Sequence, residues 1–355
     1  MKICMIIPNE EVKGGIATVV NGYKKRGFQE KYRITYVESY CDGSKGKKIK
    51  KAVKSYLEYS KILCTDKPEL IHIHSSFGGS FYRKLPFILL SRLFGVKIIN
   101  HIHGAEFDKF YENAGAKKRQ LVKKVYSLCD ALIALSDEWK ERLGTMIEEE
   151  KIYVIENYCE IPGQEGKKKK QILFLGELSH RKGCYDLAQI YRKIIEETGR
   201  IPLIVAGDGE MEKVKATFQS FEKEDVTFPG WVRGEEKEKL LSESEYFLFP
   251  SYNEGMPMAV LEAMAHGMAI VTTNVGGIPK LIEDGKEGFL CDPGDVNELG
   301  KKMSLLIQDT VLREECKNSC KRKAIENYSI NSHMARMEEV YDKVLENKNK
   351  SRKKK

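Results

Sequence analysis

The chain predicts an α/β fold of two Rossmann-like domains, each built on a parallel sheet. Three observations carry that expectation. Short apolar runs alternate with helical patterns along both halves, as parallel strands joined by helical crossovers require. A stretch without periodicity, EIPGQEGKKKKQ at 160–171, separates the halves and reads as a linker. The 355 residues also suffice for about two domains with separate cores.

The elements follow in order. The apolar run 2–8 is a buried strand, and Gly14-Gly15 opens a helix over 16–26. Alternation marks a strand at 33–38, followed by a helix over 49–65. Strands at 70–74 and 97–101 flank a helix over 82–94. A strand at 130–135, a helix over 137–143 and a strand at 152–155 complete a first domain at 1–160. Beyond the linker, strands are expected at 172–176, 203–207, 227–228, 246–250, 269–273 and 288–290. They form a second domain at 170–328. Closing helices run over 311–327 and about 330–347, interrupted around Tyr328-Ser329. The last eight residues, KNKSRKKK at 348–355, are too charged to pack and read as a disordered tail.

Composition narrows the class. A hydrophobic content of 41% suits a globular protein. No apolar run reaches the ~20 residues that cross a bilayer; the longest, 87–99, is broken by Arg92 and Lys97. The N-terminus enters strand-like sequence directly, with no cleavable signal. Nine cysteines lack pairing rhythm, which fits a reducing compartment. Cys316 and Cys320 share a helix face but lack a second ligand pair for zinc. These readings place the protein in the cytoplasm.

The net charge of +8 is unevenly spread. Residues 1–160 hold 28 cations against 20 acids, residues 161–347 hold 26 against 32, and the tail adds six cations. Clusters at 45–54, at Arg83-Lys84 with Arg92, and at 117–124 interleave with Val53, Tyr56, Leu57, Leu121, Val122 and Val125. They read as basic amphipathic helices suited to an anionic membrane surface on the inner face of the cell membrane. A merely solvated face is the alternative for any one cluster. A nucleic-acid partner would call for aromatics interleaved with the cations, and none is assigned.

The densest chemistry lies at 249–294. A strand ends in the small-residue loop 251–257, and the helix that follows carries Glu262, eight positions after Glu254. Both acids stand at the carboxyl end of a strand, where open α/β sheets bind ligands. Gly276-Gly277 and Pro279 begin another helix, and helix starts offer N–H groups to anions. Two carboxylates for hydroxyls and two helix starts for phosphates describe a nucleotide-sugar pocket. Upstream, ILFLGELSHRKG at 172–183 presents Arg181 and Lys182 after a strand, where cations stabilise a departing diphosphate. Two surface cations are the plainer reading of that pair. Gly14-Gly15 lacks dinucleotide-fingerprint spacing, which argues against a nicotinamide enzyme. The triplets His72-Ile-His74 and His101-Ile-His103 put paired histidines on one strand face. With no Cys or acid at ligand spacing, zinc is the weaker reading there, and packing the stronger.

These motifs closely resemble the donor site of retaining glycosyltransferases of the GT-B fold, in the large family four. The resemblance covers most of the chain and is densest at 172–294. It implies two domains facing across a cleft, with the last helix returning to the first. It implies that Glu262 binds ribose hydroxyls and Glu254 the sugar hydroxyls. Gly255, Met256 and Pro257 would offer backbone N–H groups to sugar and phosphate. Lys182 matches the signature lysine of the diphosphate loop. Where the family often carries arginine after the strand glycine, this chain has Glu177, so Arg181 is the substitute. Gly14 and Gly15 would abut the donor diphosphate, His103 the donor sugar, and Trp231-Val232 the base. Asp108 is a weaker candidate for acceptor hydroxyls.

The implied activity is metal-independent, retaining transfer from a nucleoside diphosphate sugar, with a UDP-sugar favoured. The acceptor would be a lipid-linked saccharide in capsular, exopolysaccharide or lipopolysaccharide assembly. No cofactor is called for. The sequence has no Asp-x-Asp to hold a metal on the diphosphate. A silent nucleotide-sugar-binding protein is the first alternative, although Glu254, Glu262 and Lys182 are all present, and a nucleic-acid-binding protein is the less favoured one.

Overall fold

The structure, a computed structural model, describes residues 1–12, 15–25, 32–104, 107–163, 166–222 and 224–352. It divides into two compact units, Met1–Asn157 with Ile330–Lys355 and Tyr158–Ser329.

Unit 1 contains β1 (Lys2–Pro8), α1 (Gly15–Lys25), β2 (Arg33–Tyr40), α2 (Lys45–Thr65), β3 (Leu70–Ser75), α3 (Gly79–Leu93) and β4 (Lys97–Ile102). A π-helical turn (Asp108–Glu112) leads to α4 (Ala116–Ser127), β5 (Ala131–Ala134), α5 (Asp137–Gly144) and β6 (Ile152–Val154). All strand pairs are parallel, in the order β2-β1-β3-β4-β5-β6. Helices cover both faces of such a sheet, so its strands read as unbroken apolar runs. β3 and β5 are buried at every position. Ser136 accepts from the Trp139 N–H and starts α5, satisfying an amide that has no helical partner.

Unit 2 contains β7 (Lys169–Leu175), α6 (Leu187–Thr198), β8 (Leu203–Ala206), α7 (Met211–Thr217), β9 (Val226–Gly230), α8 (Glu235–Glu243) and β10 (Ser244–Phe249). It continues with α9 (Met258–Ala265), β11 (Ala269–Thr273), the single turn α10 (Ile278–Leu281), β12 (Phe289–Cys291), α11 (Val296–Gln308) and α12 (Thr310–Asn327). Its parallel order is β12-β11-β10-β7-β8-β9. The order reverses between β7 and β10, so the loops after these two strands splay apart and leave a crevice at their carboxyl ends. Arg181 and Lys182 follow β7, and Glu254 follows β10. In unit 1 the reversal lies between β1 and β3.

The final helix, α13 (Ile330–Arg352), belongs to unit 1. His333 fixes it, with Nε2 2.6 Å from Tyr23 Oη and Nδ1 2.7 Å from the Glu156 carbonyl. Tyr341 Oη lies 2.7 Å from His72 Nδ1.

Two boundaries differ from expectation. The lysine-rich end of the linker, 169–171, is the start of β7, because Lys169 pairs in register with Ser244 and its Nζ binds Glu243 at 2.6 Å. The tail expected to be disordered from 348 is helical to Arg352. Lysine and arginine are good helix formers, and each added residue gains a backbone hydrogen bond. Residues 353–355 lie outside the described residues.

Candidate functional site

Glu254 is the hub of unit 2. Its side chain is nearly buried in the loop after β10, and its Oε1 receives Lys182 Nζ at 2.6 Å and Ser251 Oγ at 2.6 Å. Arg181 Nη1 stands 3.5 Å from the same oxygen and donates to the Asn253 carbonyl at 3.0 Å. Glu254 Oε2 has no partner among the described residues. Lys182 also lies over the Phe249 ring, 4.9 Å from its centroid. One ammonium proton is engaged by Glu254, and two remain for an anion. Arg181 Nη2 donates to Glu177 Oε2 at 3.2 Å. The acid at 177 therefore does not replace a cation; it anchors the one four residues later.

Backbone packing holds this loop in place. Tyr252 N–H donates to the Arg181 carbonyl at 2.8 Å, and Ser251 Oγ, its proton engaged by Glu254, lies 3.1 Å from the same oxygen. Tyr252 Oη donates to Asp186 at 2.7 Å, which pushes the phenol up to about 12. From the other side Gly276, at φ +55°, packs so closely that a Cβ would stand 1.8 Å from the Glu254 carbonyl oxygen. The Gly277 N–H donates to the Gly255 carbonyl at 2.7 Å.

That last bond corrects one expectation. The amide of Gly277 is committed to the 251–257 loop, and α10 is one turn of four residues. The Gly277 amide and the close packing of both glycines thus serve the 251–257 loop. A second correction is chemical: Pro257 has no N–H, so the backbone N–H groups of that tripeptide are those of Gly255 and Met256. Pro257 instead stands at the N-cap of α9.

Glu262, on α9, repeats the pattern of Glu254. Its Oε1 receives Lys237 Nζ from α8 at 2.7 Å, and Oε2 has no partner among the described residues. His266 Nδ1 lies 2.8 Å from the Glu262 carbonyl, and its Nε2 lies 2.9 Å from Glu238. Trp231 is exposed beside buried Val232, just past β9.

In unit 1, His72, His74, His101, His103 and His333 form one cluster. His103 Nε2 lies 3.0 Å from His74 Nδ1, and its ring stacks on His101 at 4.1 Å. Burial, then the neighbouring imidazoles, pushes His72 and His103 down to about 3. Burial also takes His333 down to about 4 and moves His74 and His101 the same way. The rings are neutral at pH 7. His103 Nδ1 has no partner among the described residues.

One nitrogen each from His72, His74 and His101 falls within a 4.8 Å group. His72 and His101 stack with planes 9° apart, presenting faces rather than lone pairs to one another. Among the described residues Gly15 begins α1. Gly14 lies outside the described residues, as does the side chain of Asp108.

The family description Glycosyltransferase Family 4 matches residues 18–160, and Glycosyl transferases group 1 matches residues 160–323. The chain belongs to glycosyltransferase family four. An Escherichia coli UDP-Gal:alpha-D-GlcNAc-diphosphoundecaprenol alpha-1,3-galactosyltransferase is 27% identical over 375 residues, covering 97% of this chain and 92% of that one. Anabaena HepE, solved with UDP and glucose, matches with a TM-score of 0.75 at 17% identity over 97% of this chain and 100% of that chain. A TarM structure from S. aureus matches at 0.64 and 18% identity over 76% of this chain, which spans 55% of the TarM length. The two six-stranded parallel sheets are those of the GT-B fold.

For a family four glycosyltransferase, the residues that sequence reasoning missed are those that hold others. Lys237 pairs with Glu262, Ser251 with Glu254, and Tyr252 joins the two loops. Lys237 lies 25 positions from its partner, and no local spacing announces the pair. Ser251 was legible in principle, three residues before the acid at a strand end.

Proposed function

We propose that this glycosyltransferase moves a sugar, with retention, from a UDP-sugar to a lipid-linked saccharide during bacterial surface-polysaccharide assembly. The observation that carries the reading is the Glu254 hub at the reversal of the unit 2 sheet. Lys182 and Arg181 take the diphosphate there, Glu254 Oε2 takes sugar hydroxyls and Glu262 Oε2 the ribose. Gly255 and Met256 supply amide donors, Trp231-Val232 read the base, and His103 gives the sugar a neutral imidazole. Gly15 approaches the diphosphate, and Gly14 and Asp108 keep the roles that the family resemblance implies.

The step breaks the C1–O bond to the diphosphate and forms a C1–O bond to the acceptor on the same face. The acceptor hydroxyl proton passes to the departing phosphate oxygen, and UDP leaves. Lys182 and Arg181 supply the positive charge that the leaving group needs, so no metal step is required. The galactosyl relative acts from UDP-Gal on a diphosphoundecaprenol-linked sugar, and HepE was solved with UDP and glucose. Both favour uridine and a lipid-linked acceptor. The basic first domain and C-terminus favour docking on the inner face of the membrane.

A thermal-shift panel of UDP-, GDP- and ADP-sugars tests the donor, and NMR of the product anomeric coupling tests retention. Stabilisation by UDP-sugars and an α product from an α donor are expected. A preference for a GDP- or ADP-sugar, or an inverted anomer, overturns the reading.

A further inference from the structure

The outward face of α3 is apolar. A surface helix normally buries one stripe and turns a polar face to water. α3 buries Phe81, Lys84, Phe87, Ile88 and Ser91, yet Leu89 and Leu93 on the opposite side are exposed, Leu93 at 79%. Phe94, directly after the helix, is exposed too. Apart from Arg83 and the buried Lys84, Arg92 is its only charge, and it carries no acid. The neighbouring α2 likewise exposes Ile49, Val53 and Leu57, one helical turn apart, Leu57 at 69%. The two helices are locked side by side: Tyr56 Oη donates to the Arg83 carbonyl at 3.0 Å, and Tyr59 Oη lies 2.6 Å from Ser91 Oγ.

Basic side chains rim this ridge on both sides. α2 carries seven lysines and a single acid, Glu58. On the other flank α4 carries five cations and no acid. Lys118 of α4 lies 4.2 Å over the Phe110 ring, which meets Tyr82 of α3 edge-on at 6.3 Å. An exposed apolar patch with a polar rim marks an interaction site. The chemistry of rim and ridge identifies the partner. Lysine is depleted at protein–protein interfaces. Single-stranded nucleic acid needs aromatic platforms, and this ridge is mainly aliphatic. Aliphatic side chains beside lysines suit the boundary between acyl chains and anionic headgroups.

We infer that the α2–α3 ridge inserts into an anionic phospholipid bilayer while lysines of α2 and α4 engage its phosphates. The inference rests on the proposed membrane placement and names its surface. Insertion, unlike charge attraction alone, survives salt. The test is cosedimentation of the full chain with phosphatidylglycerol-containing vesicles and with pure phosphatidylcholine vesicles, at low and high salt. The variants are Leu89→Ser/Leu93→Ser, Ile49→Ser/Val53→Ser/Leu57→Ser and Lys47→Gln/Lys50→Gln/Lys54→Gln. All are surface changes, and the UDP-induced thermal shift is measured on each.

The expected result is binding to anionic vesicles with a residue that persists at high salt. Each apolar variant lowers affinity by at least about tenfold and removes that residue. The lysine variant weakens binding chiefly at low salt. A Leu93→Trp probe blue-shifts on anionic vesicles only. Apolar variants that bind like the parent overturn the inference, as does a ridge-dependent dimer in solution or tighter binding to RNA. If UDP produces no shift in any variant, the donor reading fails by itself.

Discussion

Lys182 Nζ and Glu254 Oε1 stand 2.6 Å apart, joining the loops after β7 and β10. These are the two strands between which the order of the unit 2 sheet reverses. The pair therefore does two things. It holds the ammonium at the carboxyl end of the sheet, where the proposed diphosphate site lies, and it turns the carboxylate so that Oε2 is left without a partner among the described residues. Ser251 and Arg181 hold the same Oε1, so the orientation of the acid does not depend on Lys182 alone.

The two members of that pair are expected to separate nucleotide binding from sugar binding. Loss of a charged hydrogen bond costs roughly 1.5–3 kcal/mol, about ten- to a hundredfold in affinity. Calorimetry of Lys182→Ala should show that loss for UDP itself. Glu254→Gln should leave UDP affinity within about threefold and lower affinity for the intact UDP-sugar by about tenfold or more. Equal losses for UDP and UDP-sugar in Glu254→Gln would refute the division of labour.

Glu262 and Lys237 form the second carboxylate–lysine pair. Glu262→Ala is expected to weaken UDP by about tenfold. Lys237→Met strands a largely buried carboxylate, which costs about 1–3 kcal/mol of stability, and Lys237→Arg should recover most of it. Urea unfolding of the three variants, each with and without UDP, checks both halves of this expectation.

The sequence made the sheets legible because buried parallel strands are continuous apolar runs, as at β5 and β8. Lys182 and Glu254 stand out in the sequence because each follows a strand end, where topology puts ligands, and Glu262 because it lies on the helix after the Glu254 loop. What stayed hidden was pairing at long range. Nothing near Lys237 in sequence points to Glu262, and the clustering of five histidines needs β3, β4 and α13 to meet. Gly276-Gly277 was read as an anion site because a glycine pair before a helix fits that role as well as a close-packing one. Only the position of the Glu254 and Gly255 carbonyls decides between them. The charged segment 348–352 was misjudged since composition reports packing, while helix continuation depends on backbone bonds.

The histidine cluster makes unit 1 acid-sensitive. The folded state holds these rings below their unfolded value near 6.5, with His72 and His103 at about 3 and His333 at about 4. The unfolded chain therefore binds more protons between about pH 4 and 6.5. The stability is full above pH 6.5 and is lost as pH falls toward 4, by up to about 1.4 kcal/mol per unit for each histidine. Thermal scans from pH 7.5 to 4.5 should show a steepening fall below 6.5. His72→Phe, which removes one buried imidazole, should flatten it. A pH-independent melting temperature would contradict the neutral cluster.

On the proposed role of Arg181 and Lys182 at the diphosphate, transfer is expected to persist in EDTA, with magnesium or manganese changing the rate by less than about threefold. The measurement is UDP release with each metal added back after chelation. Activity abolished by chelation and restored by one metal would show that the two cations do not suffice.

Gly276 gives the most local test of the loop architecture. Its φ of +55° disfavours any L side chain, and a Cβ there would meet the Glu254 carbonyl oxygen at 1.8 Å. Gly276→Ala must therefore move the 251–257 loop, and with it the Lys182–Glu254 contact. Left-handed strain of this kind costs about 1–2 kcal/mol, too little by itself to unfold a domain of this size. The expected outcome is a folded protein with a modestly lower melting temperature and UDP-sugar affinity reduced by about tenfold or more. Ala substitution at Gly285, where φ is +78° but a Cβ meets nothing within 4 Å, controls for strain alone. It should leave donor affinity unchanged. If both variants lose affinity alike, conformational strain rather than loop displacement accounts for the effect.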